Sequence, residues 1–172
     1  NQVVLPLQEY MSPNPASPYG VSKVCAETYV RYLSRGYKFP GVILRTANTY
    51  GRSQTDYFVI ERIIHSMLRG DKIIPMGIPH SIRDFLFVDD ELSAYMKIIH
   101  SDDPTILGET FNTGTGVGIS IQDLFELIKE KTGSSSMAQW YSNSPRPYEI
   151  KNLTADYSKL KAYTGWTPKY TL

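Results

Sequence analysis

The chain predicts an α/β fold, and three features carry that expectation. Segments with apolar residues at helical spacing alternate with short apolar runs of strand length from one end to the other, the order that builds sheets covered by helices. Residues that start and stop helices stand between them, with Ser17-Pro18 and Ser120 at starts and Gly70, Gly133 and Gly165 at ends. A length of 172 residues with 41% apolar content is enough chain to bury a core and too apolar for disorder.

Residues 1–17 are rich in Pro, Ser and Asn and read as a loop. Ser17 then caps a helix with Pro18 in its first position. Val21, Val24, Cys25, Thr28 and Tyr32 follow at helical spacing, and Gly36 with Pro40 marks the stop. Val42-Ile43-Leu44 is a buried strand that ends at the loop Asn48-Thr49-Tyr50-Gly51. A second helix runs from Phe58 to Arg69 with Ile60, Ile63, Ile64, Met67 and Leu68 inward, stopped by Gly70-Asp71. Ile73-Ile74-Pro75-Met76 and Phe85-Leu86-Phe87-Val88 are strands, and Asp89-Asp90 caps the helix that follows, to His100. Glu109-Thr110-Phe111-Asn112 is a strand before a Gly-rich loop. Ser120 caps a helix through Lys131, closed by Gly133. Residues 134–147 are loop-rich around the strand-like Gln139-Trp140-Tyr141, and a last helix spans Tyr157 to Tyr163.

Composition narrows the function classes. Lys and Arg number 18, Asp and Glu 17, for a net charge of +1. Nucleic acids and membrane surfaces select for an excess of Lys and Arg, so neither is an expected partner, whereas a small anion needs only a few placed cations. The single cysteine, Cys25, allows no internal disulfide and no cysteine zinc site, and it fits a reducing, cytoplasmic setting. No apolar run reaches the ~18 residues of a membrane helix. His65, His80 and His100 are scattered without metal-ligand spacing, so no metal is expected. Asn1-Gln2-Val3-Val4 has neither an initiator Met nor the marks of a signal peptide, and the chain reads as beginning within something longer.

The chemistry centres on Tyr19 and Lys23, four residues apart at the start of a helix and so on one face. A free tyrosine, with a pKa near ~10, is a poor base at neutral pH, and lowering it by about three units needs roughly 4 kcal/mol. A lysine ammonium, a helix N-terminus and a cationic nicotinamide ring together supply that scale of stabilisation. Such a tyrosine exchanges a proton with a sugar hydroxyl while hydride moves. By itself the pair reads more readily as two surface residues, because Tyr-x-x-x-Lys recurs by chance in helices.

Context separates the two readings. Ser17-Pro18-Tyr19-Gly20-Val21-Ser22-Lys23 resembles the active-site segment of the extended short-chain dehydrogenase/reductase family, the nucleotide-sugar epimerases and dehydratases. Leu44-Arg45-Thr46-Ala47-Asn48-Thr49-Tyr50-Gly51 resembles the strand and loop that pass under the nicotinamide toward the sugar diphosphate. Ile82-Arg83-Asp84-Phe85-Leu86-Phe87-Val88-Asp89-Asp90 is similar to the family's Arg-Asp-aromatic segment. Arg146-Pro147, Ala155-Asp156-Tyr157-Ser158-Lys159 and Gly165-Trp166-Thr167-Pro168 resemble its C-terminal signature. The resemblance covers essentially the whole chain.

It implies roles and a fold. Tyr19 is the base, Lys23 tunes it and contacts the nicotinamide ribose of bound NAD, and Thr46 lies along the cofactor. Arg83 and Arg146 hold the diphosphate of a nucleotide sugar, since guanidinium forks match phosphate oxygens; without the resemblance Arg83 reads as a surface ion pair with Asp84. Asn48 touches the substrate phosphate or sugar, its alternative being a plain turn residue. Pro75 and Met76 lie where the family packs the nucleotide base, but equally read as core. Asn112 is a further substrate contact, although strand-end asparagines often only satisfy backbone groups. The implied architecture is the C-terminal part of a Rossmann-type doubly wound sheet plus a small α/β substrate-binding domain, with the N-terminal Gly-rich half absent. Residues 1–52 are remaining Rossmann elements. Residues 53–172 are mainly the nucleotide-sugar-binding domain, with about 83–113 returning to the Rossmann layer.

Gly114-Thr115-Gly116-Val117-Gly118 is not G-x-G-x-x-G and lacks the acidic residue at Rossmann distance, so it is no dinucleotide site. The Ser or Thr that works beside the tyrosine belongs to a strand upstream of residue 1. The acidic pair that distinguishes dehydratases also lies there, which leaves a 4,6-dehydratase and a 4-epimerase both open. Asn48-Thr49-Tyr50-Gly51-Arg52 and Tyr57-Phe58-Val59 lean toward the dehydratase branch. Rival readings are a non-catalytic nucleotide-sugar-binding module and a related reductase on a non-sugar substrate, which would not need two diphosphate arginines. Family members are often dimers through helices like the one bearing Tyr19, so a homodimer or self-association is expected.

Overall fold

The computed structural model describes residues 5–51, 56–141 and 150–172. The first helix, α1 (Pro18–Tyr37), begins where the Ser17 hydroxyl accepts the Gly20 N–H at 3.0 Å. It runs through Gly36 instead of stopping there. Lys38 takes the left-handed conformation that ends the helix, with φ 55° and its N–H on the Leu33 carbonyl. The second helix, α2 (Val59–Arg69), ends at Gly70 with φ 79°. Its inward stripe is Ile60, Ile63 and Met67. Leu68, expected inward, is 71% exposed, because one further residue turns it about 100° away from Met67.

The remaining α-helices among the described residues are α3 (Val88–Ile99), α4 (Ile121–Thr132) and α5 (Ser158–Thr164). The Ser120 hydroxyl accepts the Asp123 N–H at 3.0 Å to start α4, and Gly133 and Gly165 close α4 and α5 with positive φ. Among the described residues, no helix is long and apolar enough to cross a membrane.

The strands are short. β1 (Ile43–Thr46) and β5 (Thr110–Thr113) pair in parallel with Ile43 opposite Thr110 and Thr46 opposite Thr113. β2 (Asn48–Tyr50) pairs in parallel with β4 (Ile82–Phe87), Asn48 facing Phe85. β4 also takes β6 (Gly118–Ser120) antiparallel and β8 (Asn152–Leu153) parallel, while β3 (Ile73–Pro75) pairs in parallel with β7 (Met137–Gln139). Mostly parallel pairs linked by helices make the expected α/β architecture. The segment 48–50, expected as a loop, is a strand, and β6 and β8 were not anticipated. Two or three residues carry no readable period, and only a partner strand defines them.

Among the described residues, two hydrophobic cores form. Ile60, Ile63, Met67, Ile74, Met76, Phe85, Leu124, Phe125 and Ile128 pack between α2, β3 and α4. Leu86, Ala94, Ile106, Phe111, Leu160 and Trp166 pack where α3 and α5 meet β5. β4 belongs to both. Successive strand side chains point to opposite faces, so Phe85 enters the first core and Leu86 the second.

Candidate functional site

Tyr19, Lys23, Glu27 and Arg31 follow one another at four-residue steps along α1 and form one stripe. The Glu27 carboxylate accepts Arg45 Nε at 2.9 Å and Nη2 at 2.7 Å, and Arg31 donates to Glu27 at 2.9 Å and to the Thr110 hydroxyl at 2.8 Å. The stripe therefore faces the β1–β5 pair. Thr110 sits beside Ile43, so passing from Arg31 to Glu27 moves two residues forward along β1. Four helical residues advance about 6 Å and two strand residues about 6.6 Å, so helix and strand run in opposite directions in step. Continuing the steps puts Lys23 abreast of the end of β1 and Tyr19 beyond it, at the carboxyl ends of the parallel strands, where open α/β sheets take ligands.

Tyr19 is 72% exposed there, and Lys23 Nζ stands 5.2 Å from its ring centroid, an attractive cation–π placement. The structure thus brings together the two residues that the sequence singled out. Burial alone pushes the Glu27 carboxyl up, but the Arg45 guanidinium, with Arg31 adding to it, holds it below the usual carboxylate range.

Thr46 is exposed at the end of β1, and Asn48 is exposed at the start of β2. Arg83 lies on β4 two residues before Phe85, the ladder neighbour of Asn48, so the two residues stand on adjacent strands. Arg83 Nη1 donates to the carbonyls of Ile82 at 2.7 Å and Ile150 at 2.9 Å. Pro75 is exposed at the end of β3. Met76 is fully buried in the first core, the alternative that its sequence left open. Asn112 is buried and donates Nδ2 to the Leu7 carbonyl at 2.9 Å, tying the N-terminal loop to β5. Arg146 lies outside the described residues.

Asp84, the alternative ion-pair partner of Arg83, and Asp90, the expected helix cap, both do something else. Asp84 is buried and accepts the N–H groups of Thr115 and Gly116 and the Thr115 hydroxyl, at 2.9, 3.1 and 2.6 Å. Gly114 is required beside it, since a Cβ there would come within 2.6 Å of the Asp84 carboxylate. The Gly-rich loop thus closes on a protein carboxylate and offers no cradle to a pyrophosphate. Asp90 lies in the first turn of α3, but its carboxylate accepts the N–H groups of Lys169 and Tyr170. Glu91 is buried with its Oε2 accepting the Thr113 hydroxyl at 2.6 Å. Burial pushes its carboxyl up, partly offset by Thr113.

The sequence reading did not single out Glu27, Arg31 or Arg45 as the residues that seat the Tyr–Lys helix. The four-step repeat Tyr19, Lys23, Glu27, Arg31 was the signal available.

The model of the GDP-mannose 4,6-dehydratase family matches residues 2–172. A putative UDP-glucose 4-epimerase of Methanocaldococcus jannaschii is 33% identical, over 98% of this chain and 53% of its own length. The dTDP-D-glucose 4,6-dehydratase of Homo sapiens is 33% identical, over 90% of this chain and 45% of its own. The crystal structure of UDP-glucuronic acid 4-epimerase from Bacillus cereus, in complex with UDP-glucuronic acid and NAD, superposes with a TM-score of 0.89 at 27% identity, covering 99% of this chain and 54% of that one. The chain spans about half the length of the curated relatives it matches.

Proposed function

Because the chain belongs to the extended short-chain dehydrogenase/reductase family of nucleotide-sugar epimerases and dehydratases, we propose that it supplies the Tyr–Lys helix and the substrate-binding portion of an NAD-dependent nucleotide-sugar 4,6-dehydratase or 4-epimerase. The observation that carries this reading is the Tyr19–Lys23 pair, held at the carboxyl ends of parallel strands by the Glu27–Arg45 contact.

The described residues fit one end of a dinucleotide. Tyr19, Lys23 and Thr46 offer hydroxyls and an ammonium at an exposed face, whereas the Gly-rich loop is closed on Asp84. NAD, when bound, supplies reversible hydride acceptance at sugar C4. Tyr19 Oη takes the proton of the C4 hydroxyl and, in a 4-epimerase, returns it when C4 is reduced again. Lys23 orients the ribose and balances the negative charge that Oη carries before it takes the proton. Thr46 lines the cofactor edge. Arg83 and Arg146 grip the diphosphate and Asn48 meets the phosphate or the sugar, so that C4 is presented to Tyr19. Pro75 borders the nucleotide base. The two cores support assigning residues 1–52 and about 83–113 to the sheet layer and most of the remainder to substrate binding.

The test is titration of this chain with UDP, dTDP and GDP, followed by backbone amide shifts. Saturable shifts at Asn48 and Arg83 with one or more of the three support the reading. No binding to any of them would overturn it.

A further inference from the structure

The C-terminal segment makes contacts that the proposed chemistry does not use. Asp90 is 1% exposed, and its two carboxylate oxygens accept the Lys169 N–H at 3.0 Å each, one of them also taking the Tyr170 N–H at 2.9 Å. The Asp90 carbonyl accepts the Ser93 hydroxyl at 2.7 Å and the indole N–H of Trp166, which also donates to Ser93 Oγ at 2.8 Å. Residues 166–170 are thereby strapped onto the first turn of α3. Buried carboxyl oxygens are retained when donors meet them, and here consecutive backbone N–H groups do so.

The strap reaches toward the substrate strand. The Tyr170 ring packs 4.8 Å from the Phe87 ring, and Phe87 packs 5.4 Å from Tyr50, the last residue of β2. Gly51 rests on the same Phe87 ring, where a Cβ would come within 2.6 Å. The Tyr50 hydroxyl reaches the Thr171 carbonyl at 3.5 Å. Among the described residues, β2 has β4 as its sole ladder partner and is three residues long. Its ladder is short, and the Phe87 ring packs against its Tyr50–Gly51 end.

We propose that Asp90 is a positioning residue for the diphosphate site: by clamping residues 169–170 it holds Tyr170 on Phe87, and Phe87 in turn holds the strand that carries Asn48 in place beside Arg83. The idea rests on the proposed function for its ligand, but not for its geometry. It predicts coupling between a buried carboxylate on α3 and β2 that runs through the rings of Tyr170 and Phe87, so Tyr170→Ala, which keeps the Asp90 charge near Tyr50, must reproduce it.

The test uses the full chain and its Asp90→Asn, Tyr170→Phe and Tyr170→Ala variants. Asparagine keeps the size of Asp90 but replaces one accepting oxygen with an amide NH2, which meets the Lys169 N–H donor to donor. In Asp90→Asn and Tyr170→Ala, the backbone amide signals of residues 48–51 should shift, while those of 60–67 and 124–128 in the other core stay in place. Tyr170→Phe should preserve the parent spectrum, because the ring and not the hydroxyl does the packing. Nucleoside diphosphate affinity, measured with UDP, dTDP and GDP, should fall on the order of ten-fold in Asp90→Asn, and adding Asn48→Ala should cost little more. Unmoved signals at 48–51 would overturn the proposal, as would additive losses in the double variant. If the parent binds none of the three diphosphates, the functional reading fails while the amide shifts still decide the strap.

Discussion

Glu27 and Arg45 meet in a two-point carboxylate–guanidinium contact, at 2.9 and 2.7 Å, that seats a helix on a strand. Among the described residues α1 contributes no fully buried side chain, so this pair and the Arg31–Thr110 bond replace the apolar packing that usually fixes a helix. Glu27→Gln should cost about 1.5–3 kcal/mol, the scale of hydrogen bonds to a charged partner. Thermal unfolding would register it, and a change below a few tenths of a kcal/mol would make α1 independent of the pair.

The pH dependence of Glu27 and Glu91 should have opposite signs. Arg45 and Arg31 depress the Glu27 carboxyl, so its stabilisation is present above the unfolded value and disappears as pH falls through the folded one. Burial raises the Glu91 carboxyl. Its contribution is full below an ordinary glutamate value of about 4.3 and fades as pH rises through the folded value. Glu91→Gln should therefore gain on the parent between acid and neutral pH, as measured by urea unfolding across that range. A constant difference would mean that Glu91 does not titrate in that window.

Tyr19→Phe, in a chain completed with the N-terminal half of a relative, should lower turnover by about 10²–10⁴-fold, the usual range for a general acid/base. Affinity for the nucleotide sugar should change little, since the ring and its Lys23 contact remain. Steady-state kinetics give both numbers, and turnover within a few-fold of the parent removes Tyr19 from the chemistry.

Arg83→Ala and Arg146→Ala should each weaken nucleotide-sugar binding by about 2–3 kcal/mol, with a similar loss for the nucleoside diphosphate alone. Arg83 also ties Ile82 to Ile150, so calorimetry is best paired with an unfolding curve for that variant. Unchanged diphosphate affinity would return both arginines to the surface.

These 172 residues by themselves should neither bind NAD tightly nor turn over a sugar nucleotide. Tyr19, Lys23 and Thr46 offer too little to offset the motional freedom lost on binding, several kcal/mol. Among the described residues β1 has a ladder partner on one side only. Beside it lies a groove of ≈ 570 Å³ lined by Val42, Leu44, Tyr95 and Ile99 among others, a setting for self-association. Calorimetric titration with NAD and light scattering test both parts. Micromolar NAD binding by a monomer would contradict the expectation.

The sequence by itself determined what is local. The caps Ser17 and Ser120 and the stops Gly70, Gly133 and Gly165 fell where they were read, because a helix terminus is decided by hydrogen bonds within a few residues. The Tyr19–Lys23 pairing was legible for the same reason, since one helical turn brings them together. Tertiary structure decided what depends on distant partners. β2, β6 and β8 exist through β4, and runs of two or three residues have no period of their own. Met76 was open between a base contact and core until α2 and α4 closed over it. Asp84, whose local alternative is an ion pair with Arg83, and Asp90, whose local pattern is a cap, found backbone N–H groups about 30 and 80 residues away along the chain. A buried carboxylate takes whichever donors the fold brings to it, and no local pattern names them in advance.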